Sequence, residues 1–278
     1  MLTDRVQTTM HNRKIKKLKI IRPVLFCLLC AITLAAISGL VKNFPSEWNQ
    51  HLLLIITIGI TYGLTMLFTS WEKIPLKKAG VVANKTTLKK VAIGFGIGLL
   101  MTLLQSGIVL LSGHYKMFLS PSISGDPIFF YFSLYFLVAI REELAFRGYP
   151  LFSLNYSFGL WASQLIILVI FSAEHIAGGM TWIQAFLGAG TGALLFGFAA
   201  LKTKGIALPI GLHMAWNFGQ WCLGFKKESV IFHGFADKGF ESVAERNSWI
   251  SYLLIMAIAI VIFYFYNPKA KSINSGIG

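Results

Sequence analysis

Eight apolar runs alternate with short charged segments along this chain. They cover residues 23–41, 52–69, 91–112, 127–145, 158–176, 183–201, 206–224 and 249–266. A helix needs about 20 apolar residues to cross the hydrocarbon core of a bilayer. The pattern therefore predicts an all-α polytopic membrane protein with about eight transmembrane helices. Glycines crowd the third run (Gly94, Gly96, Gly98) and the sixth (Gly188, Gly190, Gly192, Gly197). Small residues at such positions suit close helix contact in lipid.

Composition agrees with the pattern. The chain is 55% hydrophobic and only 13% charged, about half the charge of a soluble domain. A net charge of +14 raises nucleic acid as a partner, but the basic residues sit between the apolar runs, and no DNA or RNA recognition motif is present. Their distribution sets orientation instead. With both termini cytoplasmic, 17 Lys and Arg fall inside and 6 outside, leaving aside Arg141 and Arg147. The expected organisation is a basic cytoplasmic tail (1–22), about three N-terminal transmembrane helices (23–126), a core of helices (127–224), an extracytoplasmic loop (225–248) and a final transmembrane helix with its tail (249–278). The expected location is a bacterial plasma membrane. Cys27 and Cys30 have CxxC spacing but lie in the first apolar run, where they read as small lipid-exposed hydrophobes. Cys222 stands alone.

Charge inside the fourth run is the feature that points to chemistry. Arg141, Glu142, Glu143 and Arg147 place four charges in seven residues, and each costs about 2.5–3.5 kcal/mol at the centre of a membrane helix on insertion scales. Glu143 and Arg147, four apart, share a helical face and suit an ion pair. Glu142 points about 100° away from Glu143, so the two carboxylates cannot do the same job. Apolar sequence continues to Leu154, and Pro150 can kink a membrane helix without ending it. If the helix reaches Asn155, Glu142 sits about 20 Å from its inner end.

Three more polar residues lie in apolar runs. His175 ends the sequence Phe171-Ser172-Ala173-Glu174-His175; His213 and Asn217 are four apart and share one face. Glu174 can orient His175 or pair with another helix. A carboxylate can activate water, a histidine can assist proton transfer, and a His/Asn pair can stabilise an oxyanion. A purely structural polar knot is the competing reading of the fourth run.

The motifs EExxxR (Glu142, Glu143, Arg147), FxxxH (Phe171, His175) and HxxxN (His213, Asn217), in this order on separate helices, resemble the CAAX-protease and bacteriocin-processing (CPBP) family of intramembrane proteases, which includes Ras-converting CAAX endoproteases. The resemblance covers about residues 127–224. It implies hydrolysis of a peptide bond in a membrane-associated partner, either a prenylated CAAX-type C-terminus or a leader or bacteriocin-type peptide. On this resemblance Glu142 activates water with help from His175, His213 and Asn217 form the oxyanion site, and Glu143 and Arg147 hold the helix geometry. The family is also labelled as metalloproteases. Zinc held by Glu142, His175 and His213 is therefore a cofactor the resemblance leaves open, although HExxH is absent. Two other classes compete: a non-catalytic immunity or peptide-binding protein of the same fold, and a proton-coupled transporter. The intact motif set disfavours the first. Clustered motifs and the lack of detectable inverted repeats disfavour the second.

Overall fold

The apolar runs become helices. A computed structural model describes residues 2–43, 48–226 and 229–267, with side chains described from Leu18 onward in the first segment. In chain order the elements are α1 (Leu2–Val41), α2 (Asn49–Trp71), a 3₁₀ turn (Leu76–Ala79), α3 (Thr87–Leu111), β1 (Tyr115–Leu119) and α4 (Gly125–Glu142). A π-helical turn (Glu143–Arg147), α5 (Tyr149–Phe158), α6 (Leu160–Ala177) and a second π turn (Gln184–Ala189) follow. Then come α7 (Gly190–Thr203), α8 (Ala207–Cys222), β2 (Phe232–Ala236) and α9 (Glu241–Phe265). The N-terminal segment expected as a tail is helical and continuous with the first span. The C-terminal Lys269 and Lys271 lie outside the described residues.

The chain is an all-α polytopic membrane protein. Among the described residues, six helices are long and apolar enough to cross a bilayer: Leu18–Val41, Asn49–Trp71, Thr87–Leu111, Leu160–Ala177, Gln184–Thr203 and Glu241–Phe265. The two predicted runs that fall short are the fourth and the seventh, which carry motif residues. α8 has 16 residues, about 24 Å of helix against a core of about 30 Å. α4 includes Asp126, Arg141 and Glu142 among its 18 residues. Polar side chains have taken apolar positions there.

Two compact units make up the chain. The first joins Met1–Val82 to Arg141–Ala193. Phe26 of α1, Phe68 of α2 and Tyr149 of α5 form its aromatic centre, with ring centroids 5.1–5.5 Å apart. Cys27 and Cys30 are 1% exposed, so they face the protein interior rather than lipid. The Cys27 thiol points at the Ala145 carbonyl, 3.8 Å away.

The predicted continuous fourth helix breaks in this unit. Gly148, at φ −76° and ψ −127°, ends the π turn, and α5 restarts with Pro150 in its first turn. A proline there loses nothing, since its missing N–H would have had no helical partner. The break sits above Pro150 because Gly148 permits a close approach. A Cβ at Gly148 would lie 2.7 Å from the Leu144 carbonyl oxygen and 3.0 Å from Val81. Residues 143–154 are all buried, the setting in which irregular backbone is tolerated at membrane depth.

The second unit joins Ala83–Ile140 to Leu194–Gly278. Its backbone is the α3–α8 pair. A Cβ at Gly94 would lie 2.2 Å from the Leu208 carbonyl oxygen, one at Gly98 2.6 Å from that of Leu212, and one at Gly211 2.0 Å from that of Val91. Glycine lets the two backbones touch, as small residues do between membrane helices. Gly96, on another face of α3, meets nothing within 4 Å. Gln220 bonds Gln105 across the same pair.

Two of the loops that the alternation puts outside meet in this unit. β1 and β2 pair antiparallel, with Lys116 opposite Phe235. Lys116 is bonded to Asp237 at 2.6 Å. α9 begins at Glu241, so the loop expected over 225–248 is partly ribbon and partly helix.

Candidate active site

Each half of the motif set is built within its own unit. In the first, α4 ends at Glu142 and the π turn takes over. Such turns insert an extra residue into a helix and recur at functional sites. Here the turn holds Glu143 and Arg147, both fully buried, in an ion pair at 3.5 Å. The predicted pairing is present, although on a wider turn than a regular α-helix.

Arg147 also stacks its guanidinium over the Phe171 ring, 4.3 Å from the centroid. Phe146 meets the same ring edge-on at 4.9 Å. The motif phenylalanine thus supports the arginine, and on its other side it supports the histidine, with the Phe171 and His175 rings 4.3 Å apart. Nδ1 of His175 lies 2.9 Å from the Phe171 carbonyl oxygen. A carbonyl can only accept, so Nδ1 carries the proton and Nε2 of the neutral ring keeps its lone pair. That is the tautomer a proton acceptor at Nε2 requires.

Sequence reasoning left Arg141 without a role and Glu174 ambiguous. They are partners. Arg141, 3% exposed, bonds Glu174 at 2.5 Å. The ion pair ties α4 to α6 one residue from Glu142 and one residue from His175. Charged pairs this buried are strong only when they are hydrogen-bonded as well, and this one is. Glu142 itself is half-buried.

In the second unit, α8 carries His213 and Asn217. His213 is buried and stacks on Phe196, with centroids 4.6 Å apart and planes 16° from parallel. Phe132 and Tyr131 of α4 pack on Phe218 and Trp221 of α8, and the glycine seam fixes α8 on its α3 side. Asn217 accepts a hydrogen bond from Lys226 Nζ at 2.8 Å. The same ammonium lies 4.6 Å from the Tyr135 ring centroid. Lys226 entered the sequence reading only as one of the loop charges. It lies past the end of α8, where helical spacing gives no signal.

Among the described residues, no cluster of three or more His, Cys, Asp or Glu side chains takes a metal-holding arrangement. Of the three residues expected as zinc ligands, Glu142 and His175 belong to the first unit and His213 to the second.

Residues 124–219 match the family model for Rce1-like proteins, described as type II CAAX prenyl endopeptidase Rce1-like. The match covers about a third of the chain and includes Glu142, Glu143, Arg147, Phe171, His175, His213 and Asn217.

This segment is similar to the Rce1-like family.

No curated protein and no solved structure matches the chain. The Rce1-like domain opens at the start of α4 and closes within α8, so it omits α1–α3 and α9. Lys226 falls outside it, and Arg141 and Glu174 fall inside. The family is one of proteases, which places a peptide or protein substrate in a membrane setting.

Proposed function

We propose that the chain is an intramembrane endopeptidase that hydrolyses a peptide bond in a membrane-associated substrate, either a prenylated CAAX-type C-terminus or a leader or bacteriocin-type peptide. The observation that carries this reading is the Arg141–Glu174 ion pair. It fixes the helices of Glu142 and His175 to each other beside both residues, inside a domain of a protease family.

Glu142 takes a proton from water as the water oxygen attacks the scissile carbonyl carbon. His175, through Nε2, assists that transfer. The carbonyl oxygen becomes an oxyanion, which the Asn217 amide N–H and the His213 ring N–H stabilise. When the C–N bond breaks, the proton held by Glu142 passes to the departing nitrogen. The products are a carboxylate and an amine, with one water consumed. Glu143 and Arg147 have no part in these transfers; they hold the turn that presents Glu142. Cytoplasmic termini and a bacterial plasma membrane belong to the same proposal.

The test is cleavage by the purified chain in proteoliposomes, using farnesylated CAAX peptides and leader peptides in ¹⁸O-labelled water. Hydrolysis by water puts one ¹⁸O into the new carboxylate. Intact peptides of both classes after prolonged incubation with folded protein would count against the proposal.

A further inference from the structure

A cavity of about 340 Å³ opens at one edge of the first unit, away from the motif residues, lined by Lys19, Arg22, Glu72, Lys73, Lys78 and Ser153 among others. Four cations face a single carboxylate. That carboxylate is already engaged: Arg22 lies 3.8 Å from one oxygen of Glu72, and Ser153 donates to the other at 2.6 Å. Arg22 is further held over the Trp71 ring, 4.7 Å from its centroid. Among the described residues, Lys19, Lys73 and Lys78 form no ion pair. Among the described residues, the cavity therefore carries positive charge in excess of its one carboxylate, and hydroxyl groups line the same walls.

Its depth follows from the apolar runs. The first begins at Pro23 and the second span ends at Trp71, so Lys19, Arg22 and Glu72 stand where apolar helix gives way to the headgroup layer. Lipid phosphates occupy that layer whichever way the chain is oriented. Exposed apolar side chains flank the opening. Ile21 is 55% exposed, Trp71 52% and Tyr156 59%. Aromatic residues at this level are those that sit among headgroups, and basic pockets between membrane helices hold anionic headgroups.

We infer that this cavity binds a phosphate-bearing anion, supplied by the headgroup of an anionic phospholipid whose acyl chains run along Ile21 and Trp71. Arg22 and the three lysines neutralise the phosphate, and the Tyr156 and Ser157 hydroxyls of the same wall add hydrogen bonds. The inference is independent of the proteolytic reading and concerns no motif residue.

The experiment uses the full chain in neutral detergent. Native mass spectrometry counts the lipid retained, and thermal unfolding reports its effect on the fold. Phosphatidylglycerol, phosphatidylcholine and inorganic phosphate are titrated separately against the wild type and against Lys19→Gln/Lys73→Asn/Lys78→Gln. The three lysines are exposed, and asparagine tolerates the positive φ of 55° at position 73, so the variant retains the fold. The wild type is expected to retain phosphatidylglycerol over phosphatidylcholine, and the variant to bind it on the order of a hundredfold more weakly, given the usual effect of each surface lysine. Inorganic phosphate that binds the wild type but not the variant, with no lipid retained, assigns the cavity to a free phosphate instead. Should the triple variant fail to fold, Lys78→Glu alone carries the test, with an expected loss of roughly tenfold or more. Equal retention of the two lipids, or undiminished binding of lipid and phosphate by a folded variant, overturns the inference.

Discussion

Lys226 donates a 2.8 Å hydrogen bond to Oδ1 of Asn217. An ammonium group has donors only, so the amide is held with its oxygen toward the lysine and its two N–H groups directed elsewhere. An oxyanion needs those N–H groups. The contact makes Lys226 a positioning residue for the proposed oxyanion donor.

Lys226→Met should lower kcat by roughly tenfold to a hundredfold, less than the loss from deleting an oxyanion donor outright. KM and thermal stability should change little, and Lys226→Arg should restore part of the rate. Steady-state kinetics on the three proteins decides the matter. A variant with wild-type kcat, or one that changes only in KM, rules out the positioning role.

Arg147→Ala should cost about 3–5 kcal/mol, because it leaves Glu143 charged and buried without its ion-pair partner. It also removes the cation stacked on Phe171. Arg147→Lys keeps the charge but not the planar stacking surface, so it should fall between. Yield of monodisperse protein and its unfolding temperature in detergent provide the ranking. An Arg147→Ala protein as stable as the wild type contradicts the structural role.

Gly94→Leu and Gly211→Leu should each abolish folded protein. Even a Cβ at these positions would press on backbone oxygens 2.2 and 2.0 Å away, and backbone cannot move aside as a side chain can. Gly96→Ala, two residues from Gly94, meets open space and should gain up to about 1 kcal/mol from helix propensity. Size-exclusion profiles of the three variants check this; similar behaviour at positions 94 and 96 would show that the seam does not decide how α3 and α8 pack.

The β1–β2 ribbon predicts that two loops far apart in sequence lie on one side of the membrane. Cysteines introduced at Lys116 and Phe235, opposite each other in the ribbon, should form a disulfide. An impermeant thiol reagent that reaches either should not reach a cysteine at Lys85 in sealed vesicles. Labelling of all three from one side would refute the single crossing by α3 between Lys85 and Lys116.

The periodic features of this chain were legible in its sequence. The helices fall on the apolar runs, and the Glu143–Arg147 pair follows from a spacing of four. Gly94 and Gly98 were legible as contact residues, although spacing alone did not separate them from Gly96. What the sequence hid are relationships without a period. Arg141 and Glu174 are 33 positions apart on different helices. Lys226 reaches back to Asn217 from beyond a helix end. The break at Gly148 arises from a tertiary approach to Val81, so Pro150, the more visible residue, drew the expected kink to itself. Burial of Cys27 and Cys30 likewise depends on which face α1 turns inward, and a uniformly apolar run does not reveal that.

Glu142, and not its neighbour Glu143, is the carboxylate proposed to activate water. Glu142→Gln and Glu143→Gln proteins should be compared with the wild type for thermal stability in detergent and for single-turnover cleavage of a lipopeptide that the wild type hydrolyses. An amide cannot accept the proton from water, so Glu142→Gln should fold as the wild type does and show no turnover. Glu143→Gln should lose stability, and whatever fraction stays folded should still cleave. A stable Glu142→Gln protein with wild-type cleavage would contradict the account.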